Sequence, residues 1–186
     1  MKKNIGPVAG LYPTPVTIIG TVVNGTVNWS NIAHVGIIGR DATIMLSIRK
    51  GRLTCAGIRE NGAASVNLVT EAMIPAADYV GIFSGKQKDK SAVFPYRMGE
   101  LSGAPIIEAS PLVMECELVD IYDTSNNDNF ILKVAHTHVD EACLNEEGVP
   151  DVHKIGPILF ERFSASYLRT GGMAGKCWSA GKDHVT

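Results

Sequence analysis

Hydrophobic positions along this chain fall in short runs cut by glycine, proline and asparagine, a pattern that predicts strands and turns more often than helices. Val16 to Val23 is dense in β-branched residues and is punctuated by Pro13, Pro15 and Gly20, which favours a strand. Asn24-Gly25 then supplies two residues that tolerate positive φ in a tight turn, and Thr26 to Trp29 continues as the hairpin partner. Ala42 to Ile48 is the next short β-branched run, bounded by polar or glycine residues, and Ala64 to Leu68 reads as a further buried strand. From Leu112 the runs lengthen. Leu112 to Tyr122 and Asn129 to Val139 predict two long strands joined by the polar turn DTSNNDN.

Two short helices interrupt this series. Thr54 is placed to cap CAGIRENG, with Asn61-Gly62 as its stop, leaving the Arg49 to Thr54 loop at a helix N-terminus suited to an anion. Pro75 opens the second, AADYVGIFS, with Gly85 as the expected stop. The loop SGKQKDKS follows directly, and taken alone its cations and hydroxyls read first as a solvated turn. Gly156-Pro157 and Gly171-Gly172 break up the remainder, and no repeat, low-complexity tract or linker divides it. The expectation is one domain over residues 1–186, with residues 1–12 as an N-terminal arm. Many strands with few short helices suggest a closed or partly closed antiparallel barrel.

Bulk composition narrows the function classes. At 186 residues the chain is long enough for one well-filled core. With 45% hydrophobic and 19% charged residues and a net charge of -2, it is neither a disordered tail nor a source of the basic field that grips nucleic acid. The N-terminus carries two lysines but no apolar run of the roughly 7 to 15 residues a signal peptide needs. No run approaches the roughly 20 residues of a membrane span, so no membrane partner is expected and the chain reads as cytoplasmic. Cys55, Cys116, Cys143 and Cys177 form no C-x-x-C pair, which indicates neither a zinc ribbon nor a thioredoxin-type motif. They read as reduced thiols, with Cys177 in the glycine-rich GGMAGKCW segment as the one expected to be exposed.

The stretch from Pro13 to Ser91 places small and hydroxylated residues at the ends of strands: PTPVTIIGTVVNGTVNWSNIAH, SIRKGRLT and SGKQKDKS. Hydroxyls, amides, backbone N–H groups and a few cations hold a phosphate, while apolar strands wall a ring, so the pattern suits a phosphorylated, flat ligand. No G-x-G-x-x-G, G-x-x-x-x-G-K-[ST] or G-x-S-x-G pattern is present, which removes direct support for Rossmann, P-loop and serine-hydrolase chemistry. His136 and His138, two apart on a strand, share a face, but no third ligand at suitable spacing makes them a metal site. His34 lies in the candidate pocket loop, where it can contact a ring or relay a proton, although a lone histidine is more often a packing or surface residue.

The order of PTPVTIIGT, GTVNWSNIAH, SIRKGRLTCAGIRENGAASVNLV, AADYVGIFSGKQKDKS and GAPIIEASPLVMECEL resembles the flavin reductase-like family, and within it the flavoredoxin branch. The resemblance covers roughly Pro13 to Gly181, with the DKS and VNL elements in the family's order and spacing. It implies a mainly β fold with short helices, a split β-barrel of Greek-key-like antiparallel strands that binds FMN. It also implies a homodimer with a flavin site near each subunit interface. Carried across by position, Asn28, Ser30, Asn31 and Ala33 would lie along the isoalloxazine and offer hydrogen bonds to its polar edge. Ser47, Arg49, Lys50 and Thr54 would gather the ribityl phosphate, a dianion served by cations and hydroxyls. Lys88, Asp89, Lys90 and Ser91 match the family's DKS loop, which approaches the flavin from the same or the neighbouring subunit.

Short-chain flavin reductases also carry a D-H histidine, associated with nicotinamide use, at the opening of a late strand. Here the corresponding stretch is DNFILKVAH, with Asn129-Phe130 where that histidine would fall and Ala135 near a following glycine. The activity implied is that of a flavin reductase-like oxidoreductase, taking electrons from NADH, NADPH or another reduced carrier and passing them to an acceptor. The alternative is a non-catalytic FMN-binding electron carrier serving a protein partner. Neither requires a nucleophilic residue or a metal.

Overall fold

The computed structural model describes residues 1–11 and 13–180. Tyr12, in the expected arm, and Gly181, at the end of the resemblance, lie outside the described residues. Hairpin chemistry starts the fold: Asn24 and Gly25 adopt φ of 48° and 76°, so β2 (Thr17–Val23) turns tightly into β3 (Thr26–Ile32). The chain then runs through β4 (Val35–Gly39), β5 (Thr43–Arg49), α1 (Leu53–Asn61), β6 (Ala63–Leu68) and α2 (Ile74–Ile82). A short hairpin, β7 (Tyr96–Met98) and β8 (Pro105–Ile107), precedes the long pair β9 (Leu112–Asp123) and β10 (Asn127–Val139). A one-turn helix α3 (Val152–Ile155) leads to β11 (Ile158–Glu161) and β12 (Ser166–Arg169), which pair with β1 (Thr14–Pro15).

Seven strands form one antiparallel sheet in the order β3-β2-β6-β9-β10-β5-β4. Its two edge strands, β3 and β4, are consecutive in sequence and separated only by Ala33 and His34. The sheet therefore curls into a split barrel, and the Ser47 N–H donates to the His34 carbonyl at 2.9 Å, extending the β4–β5 ladder to the link between the two edges. Inward positions at alternate residues (Ile44, Leu46 and Ile48 on β5, Phe130 and Leu132 on β10) make the barrel core. Cys55 and Ile58 of α1 join that core from within.

A second core lies on the outer face of β2 and β3. Val16, Ile18, Val27 and Trp29 pack there against Met73, Ala77 and Val80 of the α2 region, with Phe94, Ile107 and Ile158 completing the layer. Burial on both faces explains why β2 reads TIIGTVV rather than alternating apolar and polar residues. Close approach of α1 to β2 requires Gly57, since a Cβ there would stand 2.6 Å from the Thr21 side chain and 2.8 Å from the Val22 carbonyl.

Three expectations are corrected. Thr54 does not cap α1: the cap position is Arg52, two residues earlier and without a side-chain bond, directly after Gly51 turns the chain at φ 79°. Gly62 does close that helix, in the left-handed conformation with its N–H on the Ile58 carbonyl at 2.9 Å. Gly85 does not stop α2, which ends at Ile82: its C-cap Phe83 is already extended, and the Lys90 ammonium takes the Val80 and Phe83 carbonyls. The DTSNNDN turn shrinks to residues 124–126, because Asn127 to Asn129 already pair with Arg49 to Ser47. Among the described residues, no helix is long and apolar enough to cross a membrane.

Glu115 is fully buried on β9 and accepts from the Leu101 N–H at 2.7 Å, while its other oxygen lies 2.6 Å from His138 Nε2. Burial alone would raise its carboxyl, but the Leu101 N–H, the His138 ring and the Glu100 N–H together hold it below the usual carboxylate range. The carboxylate thus contributes stability above that range, and the contribution is lost as pH falls through the lowered native value. In urea unfolding at neutral pH, Glu115→Gln is expected to destabilise by roughly 1.5–3 kcal/mol, with the gap to wild type closing on acidification. Equal midpoints at both pH values would remove this carboxylate from the ties of the 99–104 turn.

Candidate functional site

The hairpin tip of β2 and β3, the first turn of α1 and the 85–90 loop enclose a cleft of about 420 Å³. Period-2 alternation aims Asn28 and Ser30 to the barrel side of β3, paired with Thr21 and Ile19, and Trp29 and Asn31 to the outer side. Asn28 reaches the cleft wall, and its buried amide donates to the Thr54 hydroxyl at 3.0 Å. The Thr54 O–H keeps its own proton for a further acceptor. Gly85 leaves room for Asn28, since a Cβ at that position would collide with the Asn28 side-chain Oδ1.

The cationic loop is tied down by Trp29. The indole is fully buried, its N–H donates to the Ser91 carbonyl at 3.3 Å, and its edge meets Phe94 and Tyr96 at centroid distances of 5.8 and 5.7 Å. Asp89 accepts from the Ser91 N–H at 2.8 Å, which holds its exposed carboxyl below the usual range. Lys88 Nζ rests 4.0 Å from the Phe83 ring centroid. Lys90 is buried and donates to the Val80 and Phe83 carbonyls at 3.0 and 3.1 Å. Burial, with the nearby Arg52 charge second, lowers its pKa from 10.5 to about 8.

The structure gathers Asn28, Thr54, Lys88, Asp89 and Lys90 around this one cleft. Arg49 and Lys50 stand exposed on the turn from β5 into α1, with the Arg49 carbonyl accepting from the Arg52 N–H and the Cys55 thiol. Ser47 is half-buried on β5, its hydroxyl accepting from the Asn127 amide at 2.9 Å. Ser30 is buried on the barrel side of β3. Asn31 and Ala33 line a different, smaller pocket of about 190 Å³ with Gly81, Phe160 and Tyr167. There the Asn31 amide donates to the Ala77 carbonyl at 3.1 Å and also meets the Tyr167 hydroxyl, which donates to Asp78 at 2.9 Å.

Several contributors escaped sequence reading. Leu53 and Lys86 line the cleft and Arg52 adjoins it, and the SGKQKDKS cluster carried the only signal for Lys86. Tyr167 meets Asn31 across 136 positions of sequence, with no local motif to announce it. At the position of the D-H histidine, the Asn129 amide donates to the Tyr122 carbonyl at 2.8 Å and Phe130 is fully buried in the barrel. His136 and His138 engage Glu100 and Glu115 respectively, and no metal-holding group of three or more His, Cys, Asp or Glu occurs among the described residues. Cys55, Cys116 and Cys143 are buried and Cys177 is exposed; burial pushes the Cys55 thiol to about 11 and the Cys116 thiol to about 12.

The flavin reductase-like domain model matches residues 9–163 of the chain. No curated protein matches it. Among solved structures, flavoredoxin from Methanosarcina acetivorans is 32% identical with a TM-score of 0.93, over 98% of both chains. Flavoredoxin of Desulfovibrio vulgaris (Miyazaki F) is 33% identical with a TM-score of 0.91, over 98% of this chain and 100% of that one. An FMN-binding protein from Thermus thermophilus, solved with bound 1-cyclohex-2-enone, shares the fold at 24% identity and a TM-score of 0.76, over 91% of this chain and 94% of that one.

The lowered Lys90 pKa has a testable sign. Below pH 8 the ammonium is charged in both folded and unfolded chains and the burial penalty is fully present. Between about 8 and 10.5 the folded chain releases its proton first, so this position becomes less destabilising as pH rises. The stability of wild type relative to Lys90→Met in urea unfolding is expected to increase from pH 7.5 to 9.5. A constant difference would place the ammonium in water.

Proposed function

The chain belongs to the flavin reductase-like domain family, and on that premise we propose that it binds FMN and passes electrons from NADH, NADPH or another reduced carrier to an acceptor. Family membership supports a flavin-associated redox function; the FMN identity and the electron route are the proposal. The observation that carries it is the buried Asn28 to Thr54 bond at the wall of a cleft lined by the cationic 85–90 loop, with the Arg52 charge beside it. A phosphate requires such a combination of hydroxyl, amide and ammonium or guanidinium donors. Thr54 has an unused O–H, and Arg49, Lys50 and Lys88 have no carboxylate partner among the described residues, so the donor set fits a dianion.

When bound, the flavin ring supplies the hydride- and electron-accepting chemistry. The chain's own work is placement. Arg49, Lys50, Ser47 and Thr54 would hold the phosphate end. Asn28, with Ser30 behind it on the same face of β3, would border the ring, and the 88–91 loop, anchored through Trp29, would close over it and limit water. Dimerisation is part of the proposal. Ile37 and Ile38 are 84% and 51% exposed beside an apolar groove formed by Pro15, Val35, Ile44, Leu68 and Met114, a surface suited to a second copy.

A second reading, a non-catalytic FMN carrier fed by a protein partner, is favoured by Asn129-Phe130 at the position of the D-H histidine. Visible absorption separates the two. Flavin bands that survive desalting and bleach anaerobically with a nicotinamide support a reductase, whereas bands that yield only to a stronger reductant support the carrier. A protein that stays colourless with added FMN contradicts both. Arg49→Ala and Thr54→Ala are each expected to weaken FMN retention by about 1.5–3 kcal/mol, at least tenfold in Kd. Unchanged affinity in both variants would refute the phosphate assignment.

A further inference from the structure

The turn from β5 into α1 carries Arg49, Lys50 and Thr54, the groups assigned to the phosphate, yet its own bonds are few. Gly51 takes φ 79°, Arg52 at the N-cap makes no side-chain capping bond, and the Arg52 N–H reaches the Arg49 carbonyl at a long 3.3 Å. Lys50 is tied from outside, its N–H donating to the Asn126 carbonyl at 2.9 Å. A glycine-containing turn without a side-chain cap samples several conformations unless something beneath it selects one.

Beneath it lies Cys55. The residue is 3% exposed and belongs to the barrel core with Ile48, Ile58 and Phe130. Its Sγ stands 3.6 Å from the Arg49 carbonyl oxygen, within reach for a thiol donor. Only the protonated thiol can donate. Burial first, and the Asp128 carboxylate second, push this thiol up to about 11, so the S–H persists through the neutral range.

The surroundings of the thiol are themselves fixed. Asp128 is engaged by the Arg59 guanidinium at 2.9 Å. Arg59 also donates to the Cys55 carbonyl at 3.5 Å and lies over the Phe130 ring, 5.2 Å from its centroid. The start of β10 and the body of α1 thus form a rigid floor, and the thiol links that floor to the first residue of the turn above it.

We propose that Cys55 is a positioning residue for phosphate recognition: by donating to the Arg49 carbonyl it sets the turn in which Arg49, Lys50 and Thr54 meet a phosphate, and so favours FMN over riboflavin. This rests on the FMN reading above and assigns a residue to phosphate discrimination within it. Cys55 itself touches no ligand. A turn ordered before binding lowers the entropy cost of the phosphate contacts. Riboflavin, with the same ring and ribityl chain but a terminal hydroxyl, gains nothing from that order.

The test is the pair of dissociation constants for FMN and riboflavin, read from flavin fluorescence on the full chain at neutral pH. Cys55→Ala removes the donor, and FMN affinity is expected to fall roughly three- to tenfold while riboflavin affinity stays within about twofold. Cys55→Ser keeps a hydroxyl donor and should recover most of the loss. If the alanine variant fails to fold, Cys55→Val fills the space without a donor and should show the same FMN-selective loss.

Unchanged FMN affinity in the donor-free variant would overturn the proposal. So would equal losses for the two flavins, since the thiol would then serve core packing alone, or a serine variant as weak as alanine. Should the wild-type protein bind neither flavin, the functional reading fails separately. Positioning would then be read from amide hydrogen exchange in flavin-free protein. Faster exchange at Lys50 and Arg52 in Cys55→Ala, with the β6 amides unchanged, sustains it; unchanged exchange at both, or acceleration shared with β6, overturns it.

Discussion

Two residues, Ala33 and His34, join the two edge strands of the seven-stranded sheet, and that short covalent link governs the architecture. Strands at opposite ends of a flat sheet of this width cannot be spanned by so few residues, each reaching about 3.5 Å. The sheet has to curl until its edges meet. Curling creates an inside for β5, β6, β9 and β10, and leaves β2 and β3 with apolar neighbours on both faces. It also sets the β3 hairpin tip beside α1, the geometry on which the cleft depends.

Along β3, alternation then divides the site. Asn28 and Ser30 look toward the barrel and α1, while Trp29 and Asn31 look toward α2 and β12. One strand thereby contributes a hydrogen-bonding wall on one side and an anchor on the other. The anchor matters because the loop that follows α2 has little apolar content of its own. Its position is fixed by the indole, by Lys90 on the helix carbonyls and by the Asp89 turn. Such a loop is held by a few directional contacts rather than by burial, the usual character of segments that close over ligands.

Elements with strong local chemistry were legible in the sequence. The Asn24-Gly25 turn, the β-branched run of β2 and the Gly62 stop of α1 each reflect a steric or dihedral constraint acting within a few residues. Boundaries decided by distant partners were not. Thr54 looks like a helix cap until Gly51 turns the chain earlier, and Gly85 looks like a stop until a lysine seven residues beyond Phe83 satisfies the helix carbonyls. The strands β7, β8, β11 and β12 are too short to carry a periodic signal. For the site, Asn28, Thr54 and the 88–90 segment could be named from family resemblance, whereas Tyr167 and Arg52 required the fold, because nothing near them in sequence points to their neighbours.

The chain contains two tryptophans, and their environments are opposite: Trp29 is wholly enclosed, and Trp178 is 95% exposed near the C-terminal end of the described residues. Indole fluorescence shifts to longer wavelength and becomes open to collisional quenching as water gains access. Blue, quencher-resistant emission therefore belongs to Trp29 and red, quenchable emission to Trp178. Since the Trp29 N–H is bonded to the loop beside the cleft, the molecule carries an intrinsic optical gauge of that loop, already separated from its background.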